Sequence, residues 1–199
     1  QYHHVSNNTP AITSVTPEQF SAHLTLIQEL DIEVIPLEEM LELVSSNENA
    51  PKALSNKIGA ITFDDGYSSI YHNAYPLLKK RNIPFTVFVN PKAIDDGHSG
   101  QMSWDQLREM ENHGATIANH TQHHHHLLNR LEDESKEAWL TRTRIDYQQA
   151  QQRLKMELSK PKKWLAYPYG EFDENLKELL KQDGYLGISQ QSGGVNYTV

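Results

Sequence analysis

The stretch IGAITFDDG, residues 58–66, is an apolar run that ends in two adjacent aspartates and a glycine. An apolar run of this length predicts one buried strand over residues 58–63, with Asp64 and Asp65 at its carboxyl end. Two neighbouring carboxylates at a strand end cannot both be neutralised by burial, so one needs a cation and the other is free to act as a base. Taken alone, the same residues are also compatible with an ordinary Asp-Gly turn.

Strands and helices alternate outward from this run. Further strands are predicted over residues 34–35, 85–89, 115–118, 164–167 and 185–189. Helices are predicted over residues 17–30, 37–44, 68–81, 103–113, 132–158 and 174–182, with a polar loop at 45–56. This alternation predicts an α/β fold with a largely parallel sheet or barrel, in which functional residues gather at the carboxyl ends of the strands.

Histidine is concentrated after one of these strands. The chain has 11 histidines, and five of them lie between His120 and His126. Residues four apart share one face of a helical turn, so His120 and His124 could bind one ion. Together with one aspartate they would form a three-ligand set with open positions, which is typical of catalytic metal sites. A solvated polar loop is the simpler interpretation of the cluster by itself.

A third strand is predicted to end at Tyr167-Pro168-Tyr169-Gly170. Proline fixes the backbone and glycine permits a tight turn, so a backbone N–H held there could point at a developing oxyanion. A plain turn after a strand explains the same residues when they are considered alone. The convergence of this strand end with the aspartates and the histidines is the central inference from the sequence.

Composition excludes several classes of protein. The chain carries 18 Lys+Arg against 26 Asp+Glu, a net charge of −8, which argues against a nucleic-acid partner. It has no run of 18 apolar residues, so no transmembrane segment is predicted. Its lack of cysteine excludes disulfide scaffolds, cysteine-ligated zinc and cysteine nucleophiles. A length of 199 residues suits a single domain.

The three strand-end motifs, Thr62-Phe63-Asp64-Asp65-Gly66, His120-Thr121-Gln122-His123-His124 and Tyr167-Pro168-Tyr169-Gly170, resemble in order and spacing those of the NodB-type polysaccharide deacetylases. The opening Tyr2-His3-His4-Val5-Ser6 resembles the first strand of a branch that includes the bacterial exported poly-N-acetylglucosamine deacetylases. The resemblance implies a distorted (β/α) barrel of the NodB type. Residues 1–199 would form a single deacetylase domain that is truncated at both ends.

The resemblance also implies a role for each matching residue. Asp64 would be the general base, while Asp65, His120 and His124 would hold a divalent metal, usually zinc, with cobalt, nickel or iron as alternatives. The backbone N–H of Tyr169 would help to stabilise the oxyanion. The implied reaction is hydrolysis of N-acetyl groups by metal-activated water, on a polysaccharide or oligosaccharide of N-acetylglucosamine. The implied location is periplasmic, secreted or at the cell surface, with a role in biofilm, and the oligomeric state is left open.

Two departures from the family pattern limit this interpretation. Members commonly use a histidine of a C-terminal Leu-x-His motif as the general acid, but no histidine follows Gly170. Either residues beyond Val199 are missing, or another group donates the proton, or the protein is less active. His123, His125 and His126 are the local substitutes, and they are the less favoured explanation. Many members also carry arginine two residues before the motif proline, where this chain has Ala166. The poly-N-acetylglucosamine branch tolerates that change, which favours poly-β-1,6-N-acetylglucosamine over chitin or peptidoglycan.

Two other functions are compatible with the sequence. The absent acid and Ala166 fit a carbohydrate-binding barrel that is weak in turnover or has lost it. Two histidines and one carboxylate also suit the Fe(II) of a non-haem oxygenase. The order of aspartate before histidine and the additional Asp64 make the oxygenase the less attractive alternative.

Overall fold

Five parallel strands form the main sheet of the computed structural model, which describes residues 1–45 and 57–189. Neighbouring strands of this sheet are consecutive along the chain, and every crossover between them carries a helix. In spatial order the strands are β5 (Ile61–Phe63), β6 (Phe85–Val89), β7 (Thr116–Asn119), β8 (Trp164–Ala166) and β9 (Leu186–Ile188). The predicted α/β alternation with a parallel sheet is confirmed.

Two short parallel pairs accompany the main sheet. They join β1 (His4–Val5) to β2 (Ser14–Val15) and β3 (Ile32–Val34) to β4 (Lys57–Gly59). Tyr2 makes an isolated parallel bridge to Phe63, in which its N–H donates to the Thr62 carbonyl at 2.8 Å and its carbonyl accepts from the Asp64 N–H at 2.9 Å. The N-terminal segment therefore lies beside β5 and continues the curved sheet.

Helices cover the sheet, and two of them begin at capping boxes. Within the described residues the α-helices are α1 (Pro17–Glu29), α2 (Leu37–Ser45), α3 (Tyr75–Arg81), α4 (Pro91–Asp95), α5 (Trp104–Asn112), α6 (Lys136–Glu157) and α7 (Glu174–Gln182). Thr16 and Ser103 each form a capping box with the glutamine three residues later. In these parts of the chain, no helix combines the length and the apolar character that crossing a bilayer requires.

The strand predicted over residues 58–63 is wrong, because it is two strands in the structure. Lys57–Gly59 pairs with β3, whereas Ile61–Phe63 pairs with β6, so the chain passes from one sheet to the other at Ala60. An apolar run indicates burial but does not reveal which partner each residue pairs with.

Three helical features also differ from prediction. Helix α6 begins at Lys136 rather than at residue 132, because Ser135 caps it by accepting the Ala138 N–H at 3.1 Å. The helix predicted over residues 68–81 contains a π-helical turn at Ile70–Ala74, next to a proline that has no backbone N–H to donate. Helix α4 was not predicted, and the loop predicted at 45–56 falls, from residue 46 onward, outside the described residues.

The strands β5, β6 and β8 of the main sheet are buried along their whole length, which leaves the carboxyl edge as the place for polar residues. All five residues of β6 are buried, and Phe63 and Ile117 belong to the same core cluster. The His120 N–H continues the pairing of β7 with β6 by donating to the Val89 carbonyl at 3.0 Å. Four strands thus end next to one another, and they lead directly into Asp64, Asn90, His120 and Tyr167.

Gly66→Ala is expected to destabilise the fold more than Gly97→Ala. Both glycines have a left-handed φ, +71° and +64°, which costs an L-residue about 1–2 kcal/mol. A Cβ on Gly66 would also lie 2.9 Å from Cγ1 of Val89, whereas no described atom lies within 4 Å of that position on Gly97. We expect urea unfolding to show a loss of about 2–5 kcal/mol for Gly66→Ala and about 1–2 kcal/mol for Gly97→Ala. Equal losses of unfolding free energy in the two variants would show that Val89 moves away from the new Cβ without destabilising the fold.

Candidate metal centre

Three side chains from two strand ends converge on one point. Oδ1 of Asp65 lies 3.5 Å from Nε2 of His120 and 3.3 Å from Nε2 of His124. The two imidazole Nε2 atoms are 3.2 Å apart. Each residue offers one ligand atom, and these atoms all lie within 4.8 Å of one another. We call Asp65, His120 and His124 the metal triad.

The chemistry of the metal triad fits a divalent cation. Nδ1 of His120 donates to the Ala166 carbonyl at 2.9 Å, so Nε2 of the same ring presents a lone pair. That lone pair faces a carboxylate oxygen and a second imidazole nitrogen. Tetrahedral zinc with Zn–N bonds of ~2.0–2.1 Å needs ligand atoms about 3.4 Å apart. The observed separations are close to that value.

Neighbouring strand ends hold His120 in place. The side chain is 2% exposed and lies at the end of β7. Asn90, which follows β6, donates its amide to the carbonyls of His120 and Thr121, the second at 3.2 Å. Ala166 of β8 accepts from the ring. Contacts from three strands therefore fix both the backbone and the ring orientation of this candidate ligand.

His124 is brought to His120 by a bent loop, so the predicted helical turn is wrong. Thr121 and His124 have left-handed φ values of 67° and 56°, and residues 120–126 are not helical. The Thr121 N–H donates to Oδ1 of Asn119 at 2.8 Å, and the His124 N–H donates to Oγ1 of Thr121 at 3.0 Å. These side chains satisfy the backbone that a helix would have satisfied.

The two aspartates differ in surroundings although they are adjacent. Asp64 is 3% exposed, and its Oδ2 accepts from the Gln1 side-chain amide at 2.5 Å. Burial raises the pKa of Asp64 to about 7, while the charge of nearby His3 opposes this rise. Asp65 has a left-handed φ of 68°, a conformation that aspartate tolerates better than most residues. The turn directs the Asp65 carboxylate to His120 and His124, and it leaves the Asp64 carboxylate beside the metal triad.

An aromatic pair supports Asp65. The Tyr67 hydroxyl shares a hydrogen bond with the Asp65 carboxylate, and burial is the main reason that the pKa of Tyr67 is raised to about 12. The ring of Tyr67 stacks on that of His4 with centroids 3.6 Å apart. This places an outer hydrogen-bond donor on a candidate metal ligand.

Both imidazoles of the metal triad are neutral at neutral pH. Burial lowers the pKa of His120. Burial, and then the neighbouring His120, lower the pKa of His124 to about 4. Neutral imidazole is the form that binds metal ions, so both histidines are in the protonation state that metal binding requires.

The metal triad opens into a cavity of about 770 Å³. Its walls carry polar side chains from several loops, among them His3, Asp64, Tyr67, Asn90, Lys92, Gln101 and Tyr169. A second groove of about 760 Å³ lies at the opposite, amino end of the sheet, where Leu24, Ile83 and Pro84 line it. The cavity at the carboxyl edge is the one that Asp65, His120 and His124 line, so it is the candidate functional site.

Tyr169 lies beside the metal triad, within a short 3-10 turn at Pro168–Gly170. Its φ is 58°, and its side chain is 58% exposed. The ring stacks on His126 with centroids 3.8 Å apart and meets the His124 ring edge-on at 4.7 Å. The structure thus brings Tyr169 to the cavity, and the role of its backbone N–H stays a prediction.

Sequence reasoning missed His3. This residue lines the cavity, and it is close enough for its charge to act on Asp64, His120 and His124. It reaches the site because Tyr2 pairs with Phe63, a contact that no local pattern predicts. The sequence signal that could have found His3 is the opening Tyr2-His3-His4-Val5, interpreted as a strand that pairs with β5, the strand before the aspartates.

The other histidines of the 120–126 cluster do not join the metal triad. Nδ1 of His123 faces Oδ1 of Asp146 at 2.5 Å. Nδ1 of His126 faces the Glu171 carboxylate at 3.1 Å, and the His125 ring stacks on that of His123. Of the five histidines in this segment, two converge with Asp65 and three lie toward the rim.

Sequence comparison relates this chain to known proteins. The family model for polysaccharide deacetylases matches residues 52–188. The Bacillus subtilis protein YxkH, whose name assigns it provisionally to the polysaccharide deacetylases, is 26% identical over 196 residues, which cover 98% of this chain and 64% of YxkH. The poly-β-1,6-N-acetyl-D-glucosamine N-deacetylase of Staphylococcus aureus is 28% identical over 180 residues, covering 86% of this chain and 59% of that protein. The chain therefore spans less than two thirds of the length of these relatives.

The fold has known counterparts as well. The structure of IcaB from Ammonifex degensii superposes with a TM-score of 0.78 at 23% identity, and the match covers 96% of this chain and 85% of that one. This likeness confirms the predicted distorted (β/α) barrel of the NodB type. Because the family model spans most of the chain and includes every residue of the metal triad, the chain belongs to the polysaccharide deacetylase family.

Proposed function

We propose that this chain is a metal-dependent polysaccharide N-deacetylase that hydrolyses N-acetyl groups of an N-acetylglucosamine polymer. The observation that carries the proposal is the metal triad, with its ligand atoms within 4.8 Å of one another and the buried Asp64 beside it. Poly-β-1,6-N-acetylglucosamine is the favoured substrate, supported by the name of the Staphylococcus aureus relative and by Ala166.

Asp65, His120 and His124 would hold the cation, and zinc is favoured over cobalt, nickel and iron. Two neutral imidazoles and one carboxylate suit zinc and leave a coordination position open. A divalent cation at this point supplies Lewis acidity, which acidifies a water molecule and polarises the acetamide carbonyl.

Asp64 is the proposed general base. It lies at the same strand end as Asp65, it is buried, and it accepts the Gln1 side-chain amide, while the Tyr67 hydroxyl binds Asp65. Asp64 removes a proton from the water that attacks the acetamide carbon. The backbone N–H of Tyr169 donates to the oxygen that becomes negative in the tetrahedral intermediate.

His3 is the proposed general acid. Breaking the C–N bond releases acetate and an amine, and the amine nitrogen needs a proton as it leaves. His3 lines the same cavity as the metal triad, and its charge acts on Asp64. An imidazole there is able to donate a proton to the leaving amine near neutral pH.

The proposed setting is outside the cytoplasm, in the periplasm, at the cell surface or in the medium. The supporting observation is the name of the Staphylococcus aureus relative, which specifies poly-β-1,6-N-acetylglucosamine as its substrate. With such a polymer as its substrate, the chain would have a role in biofilm.

Acetate release tests the proposed function, and we expect it to depend on metal. Purified protein is incubated with β-1,6-linked and, separately, β-1,4-linked N-acetylglucosamine oligomers, before and after chelation and after re-addition of zinc. We expect release from the β-1,6 oligomers, loss of at least about 100-fold on chelation, and recovery with zinc. Binding of oligomers without acetate release at any metal content would instead show a carbohydrate-binding barrel, and unchanged release after chelation would remove the metal from the mechanism.

A further inference from the structure

The loop between the two histidine ligands is attached to a helix by one carboxylate. Asp146 lies on α6 and is 13% exposed. Its Oδ2 accepts the Gln122 N–H at 3.0 Å, and its Oδ1 faces Nδ1 of His123 at 2.5 Å. Gln122 and His123 are the residues directly before His124, so one side chain binds the middle of the loop at two points.

This loop needs such support because its backbone is strained. Thr121 and His124 are both left-handed, with φ values of 67° and 56°, a backbone conformation that L-residues rarely adopt because it is strained. The Thr121 N–H donates to the Asn119 side chain, and the His124 N–H donates to the Thr121 side chain. Both of these hydrogen bonds join residues of the same short segment. A strained conformation persists only where other contacts determine it, and Asp146 supplies such contacts from a separate element.

Helix α6 is itself fixed relative to His120. Tyr147, the residue after Asp146, uses its carbonyl to accept the Asn119 amide at 2.8 Å, and Asn119 directly precedes His120. At the other side of the loop, the Trp139 indole of α6 donates to the Leu127 carbonyl at 2.7 Å. The helix thus holds the strand end before the loop and the chain after it, and Asp146 holds the residues between.

We propose that Asp146 is a positioning residue for the metal site: by binding Gln122 and His123 it holds the loop in the conformation that brings His124 to His120 and Asp65. The inference rests on the proposed function, because it assumes that these three residues bind a metal. It assigns the His123–Asp146 pair to loop geometry and not to proton transfer.

Zinc affinity of the purified protein, measured by competition with a chromophoric chelator, tests this role. Asp146→Ala removes both acceptors and is expected to weaken zinc binding by about 10–100-fold, as loss of an outer partner of a metal ligand does. Asp146→Asn keeps one acceptor oxygen and a polar group for His123, so its affinity should lie between those of Asp146→Ala and the wild type.

Glu157→Ala is the matched control. Glu157 is a partly buried carboxylate in the last turn of the same helix, where it pairs with Arg108 and Arg153. Its loss should lower thermal stability, measured without metal, and leave zinc affinity within about threefold of the wild type. This control separates a general effect on α6 from an effect on the loop.

The outcomes distinguish this inference from the proposed function. If wild-type protein binds no zinc, the metal proposal fails and the positioning role fails with it. If the wild type binds zinc and Asp146→Ala binds it equally well, only the positioning role is overturned. Equal weakening by Asp146→Ala and Glu157→Ala would also overturn it, since the effect would then belong to the stability of the helix.

Discussion

Asp64→Asn is expected to lower kcat for acetate release by about 10²–10⁴-fold while the protein still binds one zinc per chain. Asparagine has nearly the same size and still accepts the Gln1 amide, but it cannot take a proton from water. Asp64 is buried and lies outside the metal triad, so its replacement should spare the ligands. Steady-state kinetics on β-1,6-linked oligomers, with zinc content measured on the same samples, provides the check.

The same measurement examines the proposed proton donor. His3→Gln should also lower kcat and leave zinc binding intact, because His3 is outside the metal triad. Asp105→Asn, a change in an exposed carboxylate on α5, controls for the loss of a charge. Wild-type turnover in Asp64→Asn would contradict the assignment of the base. Wild-type turnover in His3→Gln would contradict the assignment of the acid and would favour one of the rim histidines, His123, His125 or His126, in that role.

Loss of a metal ligand is the second large effect. We expect His120→Ala to weaken zinc binding by more than the roughly 10–100-fold that is typical of a lost outer partner, and to abolish acetate release at micromolar zinc. His120 is buried, and its ring is held by the Ala166 carbonyl, so no neighbouring side chain can move in to replace it without disturbing three strand ends. Competition with a chromophoric chelator gives the affinity, and acetate release gives the activity.

His125→Ala is the appropriate comparison for His120→Ala. His125 belongs to the same histidine cluster but stacks on His123 and lies outside the metal triad. Its replacement should leave zinc affinity unchanged. If His125→Ala weakened binding as much as His120→Ala, the ion would lie at the rim of the cavity rather than at the strand ends.

Much of the site follows from the sequence because parallel strands deliver their carboxyl ends to one edge. The positions of Asp64, His120 and Tyr169 after three apolar runs were enough to predict that these residues meet. The helices α1, α5 and α7 were likewise predicted to within one residue of their observed bounds. These features depend on residues close together along the chain, which is why single-sequence patterns detect them.

The features that sequence reasoning missed depend on contacts between distant residues. The strand at residues 58–63 divides because its two halves find different partners, β3 and β6. His3 reaches the site through the pairing of Tyr2 with Phe63. The bend that joins His124 to His120 is held partly by Asp146, which is 24 residues from Gln122. None of these partners can be read from hydrophobic pattern or turn chemistry alone.

Anomalous diffraction from zinc-loaded crystals, recorded on both sides of the zinc absorption edge, tests the central claim most directly. We expect one strong anomalous peak within about 2.0–2.2 Å of a carboxylate oxygen of Asp65 and the Nε2 atoms of His120 and His124. A zinc peak bound instead by His123, His125 or His126, with none at the metal triad, would contradict it.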